Sequence, residues 1–328
     1  MTIKQQLMKS SILAAHAVAN RWTSVQVHFG RIDSSNGSTH KTWPVDWSVG
    51  YIERVFQDYL ECANLPSRAV EGKQILEIGP GDNLGVALKF LAAGAAQVVS
   101  IDKFLSRRNP KKERAIYLAL RELLPDVERH SFDNAVDLTD GIHFNADRLQ
   151  YVYGHGIEDS PVLLGSQRFD TIVSRAVLEE LPDLDQVFSI LDDLLMPGGL
   201  QIHRVDLRDY GTLSRHGYHP LEFLTVPDSV YEYASKFSRP NRLRIDYYRR
   251  KMRELGYDAR LLITRACGVE AELHPPLELF QPEMVCPHDD LAQLEEIRPR
   301  LLPRFRDLPA EDLMATGMML VARKPYGK

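Results

Sequence analysis

A short glycine-containing segment carries the clearest chemical signal in the sequence. It reads Glu-Ile-Gly-Pro-Gly-Asp-Asn-Leu-Gly from Glu77 to Gly85 and comes directly after an apolar stretch. Glycines let the backbone turn sharply and approach a ligand closely, because no Cβ intervenes. A carboxylate two residues before the turn would repel a pyrophosphate but attract a sulfonium or an ammonium group. The segment therefore predicts a loop that binds a positively charged ligand.

A second acidic side chain, Asp102, ends the next apolar stretch, Val98–Ile101. An acid at this position can accept hydrogen bonds from both hydroxyls of a ribose. Taken alone, Asp102 would also suit a nicotinamide dinucleotide. Glu77 and Asp82 are therefore the residues that distinguish a positively charged ligand from a dinucleotide. The alternative for Glu77 is a strand-end carboxylate that caps a nearby helix.

Candidate groups for removing a proton come after two later strands. His203 and Asp206 lie on the fifth predicted strand, and His216 and His219 lie in the loop behind it. Histidine suits general-base work because its pKa lies near neutrality. The predicted catalytic residues are therefore His203, Asp206, His216 and His219. No metal site is predicted, because the spacing of His203, Asp206 and Asp209 matches no ligand pattern.

Each of these interpretations has a plainer alternative. His203 could be a hydrogen-bonded structural residue, and Asp206 could pair with a neighbouring arginine. One of Glu179 and Glu180 could face the pocket, or both could simply favour the start of a helix. The basic segment 241–253 could hold an anionic substrate group, or it could form a solvated helix face whose stems cover the core.

Alternating strands and helices must position these residues. Strands joined mainly by helices predict an α/β fold with a doubly wound, mostly parallel, seven-stranded Rossmann-like sheet. Ligands of such sheets bind outside the carboxyl ends of the strands. The predicted strands are 74–78, 97–101, 149–153, 169–174, 200–205, 259–264 and 315–322, and the predicted helices between them are 85–93, 111–124, 184–195 and 242–255.

The first 70 residues read as helices and loops and predict an N-terminal helical cap or lid. An amphipathic helix around residues 12–19 and a second one at 49–63 are separated by a polar loop at 31–41. Residues 71–328 are predicted to form the cofactor domain. Within it, 207–240 and 265–312 are expected to be insertions on the substrate side.

Composition sets the broad class of protein. The chain has 328 residues, of which 44% are hydrophobic and 26% charged, and its formal net charge is −5. An acidic balance argues against a general nucleic-acid binder. Three cysteines without metal or disulfide spacing fit a reducing compartment. No stretch approaches the roughly 20 apolar residues that span a bilayer, so we expect a cytoplasmic protein without a membrane span.

Five motifs in order resemble the class I S-adenosylmethionine (SAM)-dependent methyltransferase superfamily. LEIGPGDNLG resembles its first motif and VVSID its second, and YVYGHGIED resembles the third-strand loop that cups adenine. FDTIVSRAVLEEL and LMPGGLQIH resemble the fourth-strand motif and the turn into the fifth strand. The resemblance covers residues 71–264 and the closing strand. It implies SAM as cofactor and S-adenosylhomocysteine as product.

The resemblance also implies roles for single residues. Gly79 and Gly81 would flank the methionine part of SAM, and Asp102 would bind its ribose. His155 occupies a position where the family often has an acid. The resemblance therefore does not indicate which residue would bind the adenine amino group. The predicted cofactor-binding residues are Glu77, Gly79, Pro80, Gly81, Asp82, Asn83, Gly85, Asp102, Lys103, His155, Gly156, Ile157 and Ser174.

The predicted function is O-methylation of a small molecule or glycan, by in-line methyl transfer with a base above strands four and five. A looser similarity of HRVDLRD, PLEFL and NRLR to a bacterial group of these enzymes supplies no acceptor. Alternatives are a protein or RNA methyltransferase, an NAD-dependent oxidoreductase and a non-catalytic SAM-binding protein. A small-molecule or glycan acceptor is the expected partner, nucleic acid is not expected, and a homodimer is compatible with the sequence.

Overall fold

The computed structural model describes residues 3–28, 40–106, 108–235 and 241–327. This part of the chain folds into nine strands and thirteen α-helices. The strands are β1 Gln74–Ile78, β2 Gln97–Asp102, β3 Val136–Asp137, β4 His143–Phe144, β5 Leu149–Tyr153, β6 Phe169–Arg175, β7 Leu195–Asp206, β8 Asp258–Ala266 and β9 Ala315–Arg323. The helices are α1 Ile3–His28, α2 Val45–Cys62, α3 Gly85–Ala92, α4 Pro110–Leu123, α5 Asp126–Asp133, α6 Ser160–Leu163, α7 Leu184–Leu194, α8 Asp228–Ser235, α9 Ile245–Leu255, α10 Pro282–Val285, α11 His288–Ile297, α12 Pro303–Arg306 and α13 Ala310–Met314.

Seven of the strands form one sheet in the order β5-β2-β1-β6-β7-β9-β8. The first five of these pair in parallel, and β9 runs antiparallel to both β7 and β8. From β1 the chain moves outward to β2 and β5, and then returns to the other side of β1 through β6. Strand order therefore reverses at β1, and the ligand crevice of such a sheet lies at this point.

The predicted doubly wound, mostly parallel, seven-stranded sheet is confirmed, with two differences. The fifth large strand starts at Leu195 rather than at residue 200, because Gly198, with a φ of 76°, lets the chain bulge and stay in the sheet. The separate hairpin of β3 and β4 was not predicted. Each of its strands has two residues, which is too short for a periodic pattern.

Helices cover both faces of the sheet. On one face, Ile52 and Phe56 of α2 pack in a buried cluster with Phe90 of α3 and with Ile75 and Val98 of the sheet. The apolar stripe predicted on α2 is thus buried. On the other face the cluster is formed by α7, α9 and the segments that follow β7 and β8. The two layers bury the strands of the sheet between them.

The N-terminal helix is much longer than the apolar run that predicted it. It packs against α8, burying Leu13 and Ala17, and Lys9 forms an ion pair of 2.7 Å with Glu222. Most of the polar loop predicted at 31–41 lies outside the described residues. The division into a cap at 1–70, a cofactor domain at 71–328 and two insertions stays a prediction. Among the helices that the structure describes, none combines the length and apolar character needed to cross a bilayer.

Candidate cofactor and acceptor site

The loop after β1 has the left-handed backbone that its glycines predicted. Gly79 and Gly81 have φ values of 72° and 70°. The Gly79 N–H donates to the carbonyl oxygen of Ile101 at 2.8 Å. A Cβ on Gly79 would lie 2.5 Å from Cγ2 of Val177, in the loop after β6. A larger residue at 79 would have to adopt an unfavourable positive φ and displace the Val177 side chain, so both the backbone and the packing favour glycine here.

Glu77 lies two residues before this loop and is buried in the sheet. Its Oε2 accepts a hydrogen bond of 2.8 Å from Ser100 Oγ on β2. Burial raises the pKa of Glu77 to about 7, and the hydrogen bond from Ser100 opposes that rise. A carboxyl group that is poised between its neutral and charged forms responds strongly to a nearby positive charge.

Asp102 closes the other side of the loop. Its Oδ2 accepts from the Gly81 N–H at 3.1 Å, and its Oδ1 accepts from the Phe104 N–H at 3.0 Å. Burial raises the pKa of Asp102, and these two backbone donors act against the rise. Each carboxylate oxygen keeps a free lone pair, so Asp102 is held in place and can still accept from ligand hydroxyls.

Asp82 and Asn83 are buried, and the oxygens of their side chains accept hydrogen bonds from backbone N–H groups. The Asp82 carboxylate accepts from the backbone N–H groups of His40 at 3.3 Å and Lys41 at 2.9 Å. Asn83 Oδ1 accepts from the Gly85 N–H at 2.7 Å, at the start of α3. Both residues therefore connect the glycine loop to the segments around it. Pro80 is half-buried within the same loop.

The loop after β5 lies on the far side of Asp102. Lys103 forms an ion pair of 2.9 Å with Glu158, which ties the loops after β2 and β5 together. The Gly156 N–H donates to Asp159 Oδ2 at 3.2 Å, and the Ile157 side chain is buried. His155 is half-exposed, and its Nδ1 lies 3.7 Å from Asp159 Oδ2.

Ser174 and His203 belong to a buried hydrogen-bond network inside the sheet. Ser174 Oγ lies 2.7 Å from His203 Nδ1, and His203 Nε2 lies 3.1 Å from Gln201 Oε1. The network continues through the Tyr257 hydroxyl to Asp192. Burial lowers the pKa of His203 to about 3, so the ring is neutral. Both ring nitrogens have hydrogen-bond partners, which disfavours a role for His203 as a general base. That role stays a prediction.

An open cleft lies at the carboxyl ends of β6 and β7 and has a volume of about 100 Å³. Asp206 lines it and accepts from Arg208 Nε at 2.9 Å, so the arginine pairing considered as its alternative is present. Asp209 is buried and accepts from the N–H groups of the following turn. The residues that line the cleft are Arg175, Ala176, Arg204, Val205, Asp206, Arg208, Arg265, Glu272 and Gly317.

Glu179 lies next to Asp206, on the short 3₁₀ helix Leu178–Glu180. Its Oε1 accepts from the Asp206 N–H at 3.0 Å and from the Tyr210 hydroxyl at 2.9 Å. Its Oε2 is buried without a hydrogen-bond partner in the described part of the chain. Burial raises the pKa of Glu179 to about 8. Of the two glutamates considered from the sequence, Glu179 is the one buried beside the cleft. No sequence pattern indicates the role of Tyr210 as its hydrogen-bond donor.

The two loop histidines are not among the residues that line the cleft. His216 is exposed at the end of a 3₁₀ helix. His219 Nδ1 accepts from the Leu221 N–H at 3.0 Å, and burial lowers the pKa of His219. Their predicted catalytic roles stay predictions. No group of three or more metal-ligating side chains is found among residues 3–28, 40–106, 108–235 and 241–327.

The basic segment 241–253 has a structural role in the fold. Arg244 is fully buried and donates to the carbonyl oxygens of Leu207 at 2.7 Å and Leu313 at 2.8 Å. Arg249 pairs with Asp312 at 2.9 Å. These two arginines fasten α9 to the loop after β7 and to α13, so they are not available to hold a substrate.

Several solved structures of low sequence identity are similar to this chain. Phosphoethanolamine N-methyltransferase 2 of Haemonchus contortus is 16% identical, with a TM-score of 0.42, over 83% of this chain and 52% of that one. This chain thus spans about half the length of that protein. A SAM-dependent methyltransferase from Mesorhizobium loti is 14% identical, with a TM-score of 0.37, over 86% of this chain and 100% of that one. No curated protein sequence matches significantly.

The family assignment comes from the sequence match itself. Residues 51–261, more than half of the chain, match the family described as "Methyltransferase domain". The matched region contains the glycine loop, Asp102, the loop after β5 and the cleft residues on β6 and β7. The chain belongs to this methyltransferase-domain family, within the class I superfamily that uses SAM as its cofactor.

Proposed function

We propose that this protein transfers the methyl group of SAM to an oxygen of a small molecule or glycan. One observation carries the proposal. Ala176 lines the cleft, and the next residue, Val177, lies against Gly79 of the cofactor loop. The cleft therefore opens beside the cofactor loop, which is the arrangement that in-line transfer to a bound acceptor requires.

The residues around the glycine loop fit SAM. Gly79 and Gly81 leave room for a close approach of the ligand, Asp102 offers carboxylate oxygens to the ribose, and Glu77 favours a positive charge nearby. We propose that the loop after β5, including His155 and Ile157, borders the adenine. When bound, SAM supplies an electrophilic methyl group, and the chain's own residues must align the acceptor and accept its proton.

One carboxylate is placed to accept that proton, and a second carboxyl group supports its position. Asp206 lines the cleft and can accept a hydrogen bond from an acceptor hydroxyl while Arg208 holds it in place. Glu179, with its raised pKa, is buried next to the Asp206 backbone. We propose that Asp206 contacts the acceptor and that Glu179 positions the Asp206 segment. Because Glu179 is buried, it would not itself touch the acceptor.

The alternative functions make different demands on the site. A protein or RNA acceptor would contact a broad surface, whereas the proposed acceptor site is a single cleft at the carboxyl ends of β6 and β7. An NAD-dependent oxidoreductase would place a pyrophosphate near Glu77, which like charge disfavours. A non-catalytic SAM-binding protein would have no use for a polar cleft beside the cofactor loop.

The test is transfer of labelled methyl from SAM to a panel of sugars, phenols and small acids. Asp206→Asn should bind SAM as the wild type does but transfer about a hundredfold more slowly. Asp126→Asn makes the same chemical change at an exposed position and should behave as the wild type. Failure to label any acceptor class while SAM binds tightly would contradict the proposal, and so would unchanged transfer by Asp206→Asn.

A further inference from the structure

The cleft has a wall of four arginines, of which the proposed transfer uses only Arg208, the partner of Asp206. Arg175 and Arg204 are register partners at the ends of β6 and β7. Arg208 follows β7, and Arg265 lies near the end of β8. These four side chains come from three strands and one loop, and they converge on one cleft. Guanidinium groups suit planar anions such as carboxylate and phosphate.

Three carboxylates only partly balance these charges. Asp58 on α2 pairs with Arg175 at 2.8 Å, and Asp206 pairs with Arg208. Glu272 is shared, since it lies 2.9 Å from Arg204 Nη2 and 2.7 Å from Arg265 Nη2. Four positive charges against three negative charges leave the cleft with a surplus of one positive charge.

Burial makes this surplus costly. Arg204 is buried, and its pKa is lowered first by burial and then by the neighbouring Arg175. Charges withdrawn from water are stabilised when they are fully paired, and here one carboxylate serves two arginines. An incoming anion would supply the missing negative charge.

We propose that this arginine cleft binds an anionic group, a carboxylate or a phosphate, on the methyl acceptor. The inference rests on the proposed methyl transfer and names the class of substrate. Glu272 pairs with both Arg204 and Arg265, and the anionic group of the acceptor would take over part of this pairing. The acceptor is therefore a hydroxylated acid or phosphate ester rather than a neutral sugar or phenol.

The carboxylate of SAM itself is a second source of the same chemistry, but the position of the cleft favours the acceptor. Arg265 and Glu272 belong to β8 and to the segment that follows it. In the sheet order, β8 is separated from β1 and its glycine loop by β6, β7 and β9. The arginines thus extend away from the cofactor loop, on the side where a second molecule would lie.

The first experiment measures the binding of inorganic phosphate by calorimetry at constant ionic strength. Arg265→Gln should weaken binding about tenfold, because a charge-assisted hydrogen bond is lost. Glu272→Gln should tighten binding severalfold, because it removes a competing carboxylate. Arg250→Gln, at an exposed site on α9, should leave phosphate affinity unchanged. Opposite effects in the first two variants cannot arise from partial unfolding.

Three results would overturn the proposal: weaker or unchanged binding in Glu272→Gln, equal losses in Arg265→Gln and Arg250→Gln, or full competition between SAM and phosphate. The last result would assign the arginines to the cofactor carboxylate. A second arm compares methyl transfer to hydroxylated carboxylic acids with transfer to their neutral amides, and transfer to phosphate esters with transfer to the corresponding alcohols. We expect charged acceptors to be preferred at least tenfold in kcat/KM. Equal use of neutral acceptors would refute the anion preference and leave the methyltransferase function intact.

Discussion

Replacement of Glu77 by glutamine tests whether the buried carboxyl group serves the cofactor or the fold. The substitution preserves the shape of the side chain and its ability to accept the hydrogen bond from Ser100 Oγ. It removes only the negative charge. If Glu77 is retained for its charge, glutamine should improve the stability of the ligand-free protein and weaken its binding of a positively charged ligand.

The size of the stability effect follows from the pKa. Burial raises the pKa of Glu77 from 4.5 to about 7, and each pKa unit corresponds to about 1.4 kcal/mol. Because the folded-state pKa is raised, this contribution to stability is fully present below pH 4.5 and is lost as the pH rises through about 7. The wild type should therefore lose up to about 3 kcal/mol of unfolding free energy over this range.

Urea unfolding of the wild type and of Glu77→Gln at pH 5 and pH 8 isolates this loss as the difference between the two proteins, because Glu179, whose pKa is also raised, titrates in both. Glu77→Gln should lose less stability than the wild type between the two pH values and should be the more stable protein at pH 8. Calorimetry should show that SAM affinity in the wild type rises with pH through about 7, because the charged carboxylate attracts the sulfonium and ammonium groups. In Glu77→Gln that rise should disappear and affinity should be lower. A variant that is less stable at pH 8, or that keeps the pH dependence of SAM binding, would refute this reasoning.

Two further substitutions test the cofactor loop and the sheet interior separately. Gly79→Ala should lose at least about 2 kcal/mol of unfolding free energy and most SAM affinity, since it combines a positive φ with a 2.5 Å clash. Gly217→Ala is the control, because its φ is 79° but the space around it is open. It should lose only the unfolding free energy that a positive φ costs. Equal effects of the two variants on SAM binding would contradict this. His203→Phe should lower the unfolding free energy by about 1–3 kcal/mol through the partners it leaves unpaired, and any measured pH–rate profile should keep its inflections. An inflection lost with His203 would identify it as a titrating base.

The sheet could be predicted because its strands are continuous apolar runs with clear boundaries. The last strand and the strand at 149–153 were predicted to within one residue, and Gly256 ends α9 with the left-handed φ of 74° expected of a helix C-cap. The β3–β4 hairpin and the bulge at Gly198 depend on tertiary pairing. Such features leave no periodic signal in the sequence.

The candidate site was predictable only in part. Glycines and strand-end acids such as Asp102 are fixed by local backbone geometry, so their positions follow from the order of the elements. The contacts of Asp82 with the backbone before α2, and of Ser174 with His203, link residues 42 and 29 positions apart. Only the folded chain brings those groups together. The arginine cleft likewise collects residues from 175 to 265, and no sequence window contains them all.

The most direct test of the central claim is a comparison of SAM and NAD⁺ binding by calorimetry, in the wild type and in Asp102→Ala. The wild type should bind SAM and S-adenosylhomocysteine but not NAD⁺. Asp102→Ala should bind SAM at least about tenfold more weakly, since the acceptor for the ribose hydroxyls is lost. Asp126→Ala, at an exposed position, should bind SAM as the wild type does. Binding of NAD⁺ in place of SAM, or SAM affinity that is unchanged in Asp102→Ala, would contradict the account.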